Sequence, residues 1–445
     1  MKFFNSKSNY LKWIWNISYS VIGLLILLPN TSFAQTTSGA SSTISSGDTA
    51  WVLVSAALVM LMTPALGLFY GGMVRQKNVL STILQSFFLL AAISVQWVII
   101  GYSLAFSPGN DFIGGLSWAF LRGAGVPNPS APTIPGLAFV MFQCMFAAIT
   151  PALISGSFAE RIQFKGFVFF SLLWTTLVYD PICHWVWGGG IFEKMGALDF
   201  AGGTVVHMSS GFSALVLALL LGSRIGYGKN PMIPHDLTLV LTGASLLWFG
   251  WFGFNAGSAL GANALAANAF MTTNTAAAVA ALTWCCLEAL HKDKASSLGA
   301  ASGAVAGLVA ITPACGYVDI VGAILIGIVA SLVCYNAILL KLRFKYDDSL
   351  DAFGIHGIGG TWGALATGLF ATQWVNSHGN NGLFYGNPHQ FLVQLKTVAA
   401  TALYATVMTL ILFWIVDKTV GMRVSAKEEE IGLDLSQHGE EAYRY

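Results

Sequence analysis

The chain runs to 445 residues, 55% of them hydrophobic and only 9% charged, with a formal net charge of +1 and a mean hydropathy of +0.68. Soluble globular proteins carry about 25% charged residues, so this composition excludes them and points to an integral membrane protein. The near-neutral balance offers no basic patch for nucleic acid, and the 48 glycines suit helices packed closely in lipid.

Residues 1–34 read separately from the rest. Lys2, Lys7 and Lys12 precede the apolar run Val21 to Leu28, and Ser32-Phe-Ala34 provides a cleavage site, the layout of a secretory signal. A retained first transmembrane helix is the competing reading, against which the apolar core is short. Residues 35–48, polar and rich in Ser and Thr, form an extracytoplasmic N-terminal segment of the mature chain. Residues 49–420 form the transmembrane domain and 421–445 a cytoplasmic tail.

Eleven apolar stretches within 49–420 are long enough to span, near 51–74, 79–106, 134–158, 166–188, 202–222, 236–254, 266–290, 298–314, 317–340, 353–374 and 392–416. A helix crosses with roughly 20 residues at about 1.5 Å each, and few stretches alternate as barrel strands do. The fold class expected is therefore an all-α membrane protein of eleven transmembrane helices. Arg75, Lys77, Arg161, Lys165, Arg224, Lys229, Lys292, Lys294, Lys341, Arg343 and Lys345 fall in alternate connections, while the opposite ones hold Arg122 and Lys194. Positive residues stay in the cytoplasm, which puts the N-terminus outside and the C-terminus inside the inner (plasma) membrane. Cys144, Cys183, Cys285, Cys286, Cys315 and Cys334 show no zinc spacing and read as small core residues. A bridge such as Cys183 with Cys315 stays open.

Two apolar stretches each begin with an aspartate and a histidine, Asp199 with His207 and Asp351 with His356. Five spans separate them, so one stretch enters from each side of the membrane. A 5+5 inverted repeat, with the eleventh helix outside it, produces this pattern and places a substrate site near the midplane. Each aspartate can cap its helix, and capping alone would explain both. Counting from the span ends sets His207 about 7 Å outside the midplane and His356 about 10 Å inside it. The rings meet only if both helices start deep in the membrane. Neutral imidazoles there could line a path for a small neutral molecule and relay a proton. A core histidine bonded to a helix carbonyl is the plain alternative, and the one preferred for His184.

Aromatics gather on the outer side: Phe146, Trp185, Trp187, and Trp248 to Phe254 ahead of Ser258. Ring faces attract a cation and a hydroxyl accepts from an N–H donor, so together they could recruit a small nitrogenous cation. An interfacial aromatic belt explains the same residues. The chain carries no TVGYG potassium filter, no HExxH or GxSxG hydrolase motif and no Walker A loop. No metal ligand set and no cofactor are expected.

Several ordered stretches carry a resemblance: Gly67-Leu-Phe-Tyr-Gly-Gly-Met-Val-Arg75, Ala159-Glu-Arg-Ile162, Asp199 to His207, Gly250-Trp-Phe-Gly-Phe-Asn-Ala-Gly-Ser258, Thr312-Pro-Ala-Cys-Gly-Tyr317, Asp351 to Gly357, and Ser436 to Tyr443. At these residues the chain resembles the ammonium transporter family, relatives of the Rhesus glycoproteins, from about Thr49 onward. The resemblance implies eleven spans, a homotrimer with one pore per subunit, and no enzyme activity. Carried onto matching positions, it implies an outer ammonium site of Phe146, Trp187 and Ser258, supported by Asp199. It further implies a Phe146–Phe254 gate and a pore lined by His207, His356 and Trp251; Asp351, which opens the second Asp–His stretch, is expected to be a structural support like Asp199. It implies a regulatory tail and a PII-type signalling protein on the cytoplasmic face. The alternative functions are a membrane ammonium sensor signalling through its tail, with no output domain expected after Tyr445, and an intramembrane metalloenzyme using His184, His207 and His356.

Overall fold

The computed structural model describes residues 44–443; the expected signal, 1–34, lies outside the described residues, as does 35–43 of the segment after it. Among the described residues the fold is helical, and extended pairing is confined to two isolated bridges. In chain order the helices are α1 Ser46–Met73, α2 Gln76–Phe106, α3 Gly136–Phe158, α4 Phe164–Lys194, α5 Gly203–Leu221, α6 Leu237–Ala256, α7 Ala264–Lys292, α8 Ser297–Ile311, α9 Ile320–Phe344, α10 (353–370), α11 Pro388–Thr419 and, in the C-terminal segment, α12 Ala426–Ile431. Nine of these are long and apolar enough to cross a membrane. The helices α8 and α10 fall where the eighth and tenth apolar stretches were expected but are shorter.

Polar caps rather than hydropathy set several helix starts. Ser45 accepts the Asp48 N–H at 3.2 Å, so α1 begins at Ser46, ahead of the apolar stretch expected near 51–74. Asp236, Asn263, Ser296 and Asp319 cap α6, α7, α8 and α9 in the same way. The helix α3 is buried along nearly its whole length and packs on α1, α2 and α5. A helix apolar all round belongs at the centre, and here it runs beside the histidine-bearing helices. All six cysteines are free thiols, so Cys183 and Cys315 are not bridged.

Among the described residues five of these helices carry a π turn: α2 at Trp97–Gly101 and α4 at Thr175–Tyr179, and, with the histidines and Phe254 on them, α5 at Gly203–Met208, α6 at Phe252–Ala256 and α10 at Phe353–Gly357. Where α5 crosses α10, a Cβ on Gly211 would lie 2.1 Å from the Gly357 nitrogen, so only glycine permits the approach.

At the end of the bundle bearing Arg161, a buried ion network ties the connections together. The Arg224 guanidinium binds Asp347 at 2.8 Å and Glu160 at 3.3 Å, and Arg75 binds the same Glu160 at 2.6 Å. The C-terminal segment docks here: Asp434 accepts the Leu80 and Ser81 N–H groups at 3.0 and 2.8 Å. Arg423 pairs with Glu429 at 2.9 Å.

Candidate functional site: an aromatic vestibule above a histidine pair

The site is built from the first turns of α5 and α10 and the last turn of α6, against α3 and α4. Asp199 fixes the start of α5. Its carboxylate accepts the N–H groups of Gly202, Gly203, Thr204 and Val205 at 2.8, 2.7, 2.8 and 3.3 Å, and also the Thr204 hydroxyl. Gly202, at φ 111, makes the left-handed bend that lets the carboxylate reach these donors. The Asp199 backbone carbonyl receives the Trp187 indole N–H at 2.8 Å. One aspartate therefore orients the helix below it and the indole beside it.

Trp187 and Ser258 line a vestibule of about 350 Å³, together with Gln143, Glu193 and Tyr317. The Ser258 hydroxyl donates to the Phe254 carbonyl at 2.8 Å, which leaves its oxygen to accept from the cavity. Phe146 is not in the vestibule wall; it meets Trp187 edge-on, centroids 6.1 Å apart. Phe146 and Phe254 lie almost face to face, with centroids at 4.2 Å. Beyond them His207 stacks against Phe254 at 6.0 Å and Trp251 at 5.6 Å. The Trp251 indole N–H is anchored on the Thr312 hydroxyl at 2.9 Å.

His207 and His356 stack at 5.3 Å, their planes 17° apart, with Nδ1 to Nδ1 at 3.3 Å. A hydrogen bond at this contact requires one nitrogen to donate and the other to accept. The Nε2 of His207 is buried without a hydrogen-bond partner. Both rings border a slit of about 10 Å³ walled by Ile149, Leu247, Trp251 and Val305. His356 also borders a second slit of about 10 Å³ that continues to Tyr70 and Asp351.

Helix counting set these rings far apart, and the structure corrects it. The helices α5 and α10 begin after irregular approaches, Asp199 to Gly202 and 345–351, and their first turns bring the two rings into contact. A second correction concerns capping. Asp351 does not cap α10: it has φ 62, whereas a cap needs extended backbone, and its carboxylate pairs with Lys341. Asp348 supplies the acceptors instead, to the N–H of Ala352 at 3.1 Å and Phe353 at 2.8 Å. Asp348 precedes His356 by the eight residues that separate Asp199 from His207, and that repeated spacing is the signal sequence reading missed. His184 stays outside the column; its ring nitrogens sit 2.8 Å from the Ala105 and Asn110 carbonyls.

Residues 50–443 match the family model described as Ammonium Transporter Family. The ammonium transporter of Bacillus subtilis is 52% identical over 400 residues, covering 89% of this chain and 98% of the relative. Ammonium transporter Amt1 of Archaeoglobus fulgidus is 51% identical over 403 residues, 90% of this chain and all of the relative. The crystal structure of Candida albicans Mep2 superposes with a TM-score of 0.84 at 37% identity, over 90% of this chain and 91% of that one.

Proposed function

The chain belongs to the ammonium transporter family, a family of multi-pass membrane proteins, and from that premise we propose that it binds NH4+ in the aromatic vestibule, removes one proton and conducts NH3 past the histidine pair. The observation carrying this reading is the single column from Trp187 and Ser258, through the Phe146–Phe254 pair, to two imidazoles in contact.

Magnitudes decide the form in which nitrogen crosses. Each aromatic face offers a cation about 0.5–2 kcal/mol, so the vestibule supplies a few kcal/mol in all. An unpaired ion in an apolar medium loses tens of kcal/mol by Born solvation. Apart from the two imidazoles, the slit they share is walled by apolar side chains, so a cation halts there and a neutral amine does not. Ammonium can give up a proton, whereas potassium has none to surrender, and selectivity follows. The proton has its own route: it lands on the free Nε2 of His207, and the Nδ1 proton passes across 3.3 Å to His356. Each NH3 is then accompanied by one positive charge. A reconstituted bilayer under an ammonium gradient that moves no charge rejects this half of the proposal.

We assign Phe146, Trp187 and Ser258 to substrate binding, Phe146 and Phe254 to the gate, His207, His356 and Trp251 to the pore, and Asp199 to structural support. Asp351 supports the exit by holding Lys341. The architecture we propose has eleven crossings as a 5+5 inverted repeat plus α11, the shorter α8 and α10 crossing with the rest, an external N-terminus after a cleaved signal at 1–34, and a cytoplasmic tail in the inner membrane. The family supports a homotrimer, and the tail docked beside Lys77 supports a PII-type regulator on that face. Uptake of labelled methylammonium tests the site: His207→Ala is expected to abolish conduction and Trp187→Leu to weaken uptake at low concentration. Wild-type uptake by both variants would overturn the assignment.

A further inference from the structure

The mouth at the Trp187 end holds two cavities. Beside the vestibule of about 350 Å³ lies another of about 460 Å³, and Phe106, Ser130, Trp187 and Glu193 belong to both walls. Tyr102 and Trp118, stacked at 5.7 Å, add aromatic faces to the second cavity. Glu193 brings the charge common to the two. Its carboxylate accepts the Gly189 N–H at 2.6 Å, which fixes it at the rim.

The other charges nearby are engaged. Lys194, its neighbour, pairs with Asp111 at 2.5 Å, and neither lines a cavity. Asp199 also borders the vestibule, but its oxygens hold the start of α5. His378 and Tyr317 are the remaining titratable groups in that wall. Gln143, buried and with an unpartnered Oε1, adds a polar acceptor to the same vestibule.

We infer that Glu193 is a fixed counter-charge that gathers ammonium in this double mouth ahead of the Trp187 site, setting apparent affinity and leaving turnover alone. The inference rests on the transport reading above. A unit charge a few ångströms from the path in a water-like medium changes the local cation concentration about three- to tenfold. Salt erases such an effect, because the screening length falls from about 30 Å at 0.01 M to about 3 Å at 1 M.

The test is labelled methylammonium uptake into proteoliposomes containing the full chain, in about 10 mM and about 0.3 M sodium chloride. Glu193→Gln keeps an oxygen for the Gly189 N–H and loses only the charge. Its KM is expected to rise about three- to tenfold at low salt and to converge on wild type at high salt, with the maximal rate held. Glu193→Asp should stay near wild type at both. A low-salt KM equal to wild type, or a difference undiminished by salt, overturns the inference. Trp187→Leu in the same assay separates the two ideas: if it behaves as wild type the vestibule assignment itself fails, whereas a Trp187-dependent but Glu193-indifferent carrier sinks only the counter-charge.

Discussion

Replacing Asp348 with alanine tests whether the second histidine is held by the aspartate eight residues before it. In the folded protein the Asp348 carboxylate accepts two N–H groups at the start of α10, at 3.1 and 2.8 Å, and the residue is 1% exposed. Loss of a helix cap costs about 0.5–2 kcal/mol, and each buried donor left without a partner about 1–3 kcal/mol. Two donors sharing one lost side chain therefore place Asp348→Ala at about 2–4 kcal/mol, with Asp348→Asn near 1 kcal/mol because its amide oxygen still accepts. His356 lies three residues past Phe353, so loosening this turn breaks the 3.3 Å contact with His207. Methylammonium uptake by Asp348→Ala should then fall at least about tenfold, the equivalent of 1.4 kcal/mol in the placement of one ring. The control removes the neighbouring pair together, as Lys341→Met with Asp351→Ala, since deleting both members of a buried pair is often close to neutral. Unfolding in mixed micelles reads the stability and labelled uptake reads the function. Asp348→Ala within about 0.5 kcal/mol of wild type, or the double variant damaged as badly, refutes the capping argument. The pH dependence has a definite sign. Burial pushes the Asp348 carboxyl up to about 6, against the pull of Lys341. Its contribution to stability is complete below the ordinary carboxyl value of 3.8 and is lost as pH rises through about 6. The penalty for Asp348→Asn should accordingly be smaller at pH 8 than at pH 5.

Two further outcomes follow from the packing. Gly211→Ala puts a methyl 2.1 Å from the backbone nitrogen of Gly357; overpacking of this kind costs about 1–3 kcal/mol, and pushing α5 from α10 should abolish uptake, so a conducting, wild-type-stable variant would refute the tight crossing. Arg224→Met strands the Asp347 carboxylate and leaves Glu160 to Arg75 alone, and breaking a buried pair costs about 3–5 kcal/mol, read as a lower unfolding midpoint. Burial alone would raise the Asp347 carboxyl, but the Arg224 hydrogen bonds and charge outweigh it and hold it below 3.8. Wild type should thus lose this stabilisation as pH falls below that value, and Arg224→Met should not; equal acid sensitivity would count against the network.

Hydropathy made the long helices legible because burial in lipid demands an apolar surface over a fixed length. It misplaced ends set by polar contacts: α1 starts early under the Ser45 cap, and α7 runs on to Lys292. The apolar count also passed over the shortness of α8 and α10, which only the backbone reveals. Resemblance named Phe146, Trp187, Ser258, Phe254, Trp251, His207 and His356, and the structure brings all seven into one column. Physical reasoning from the chain alone did not, because adjacency across 149 positions depends on where each helix begins. The ion network around Arg224 was hidden for a different reason. Its arginines serve the sequence reading as topology markers, a use of charge that is blind to which charges meet.

The π turns of α5, α6 and α10 carry His207, Phe254 and His356, each fitting one residue more than an α-helical turn would hold. Excising a single residue from such a turn restores the ordinary winding and rotates one flank by about 100°. Side chains that now meet at the centre would swing toward the membrane lipid. On the transport reading proposed above, these turns could exchange residues but not lose one, and chain length here would be as much a part of the path as the imidazoles are.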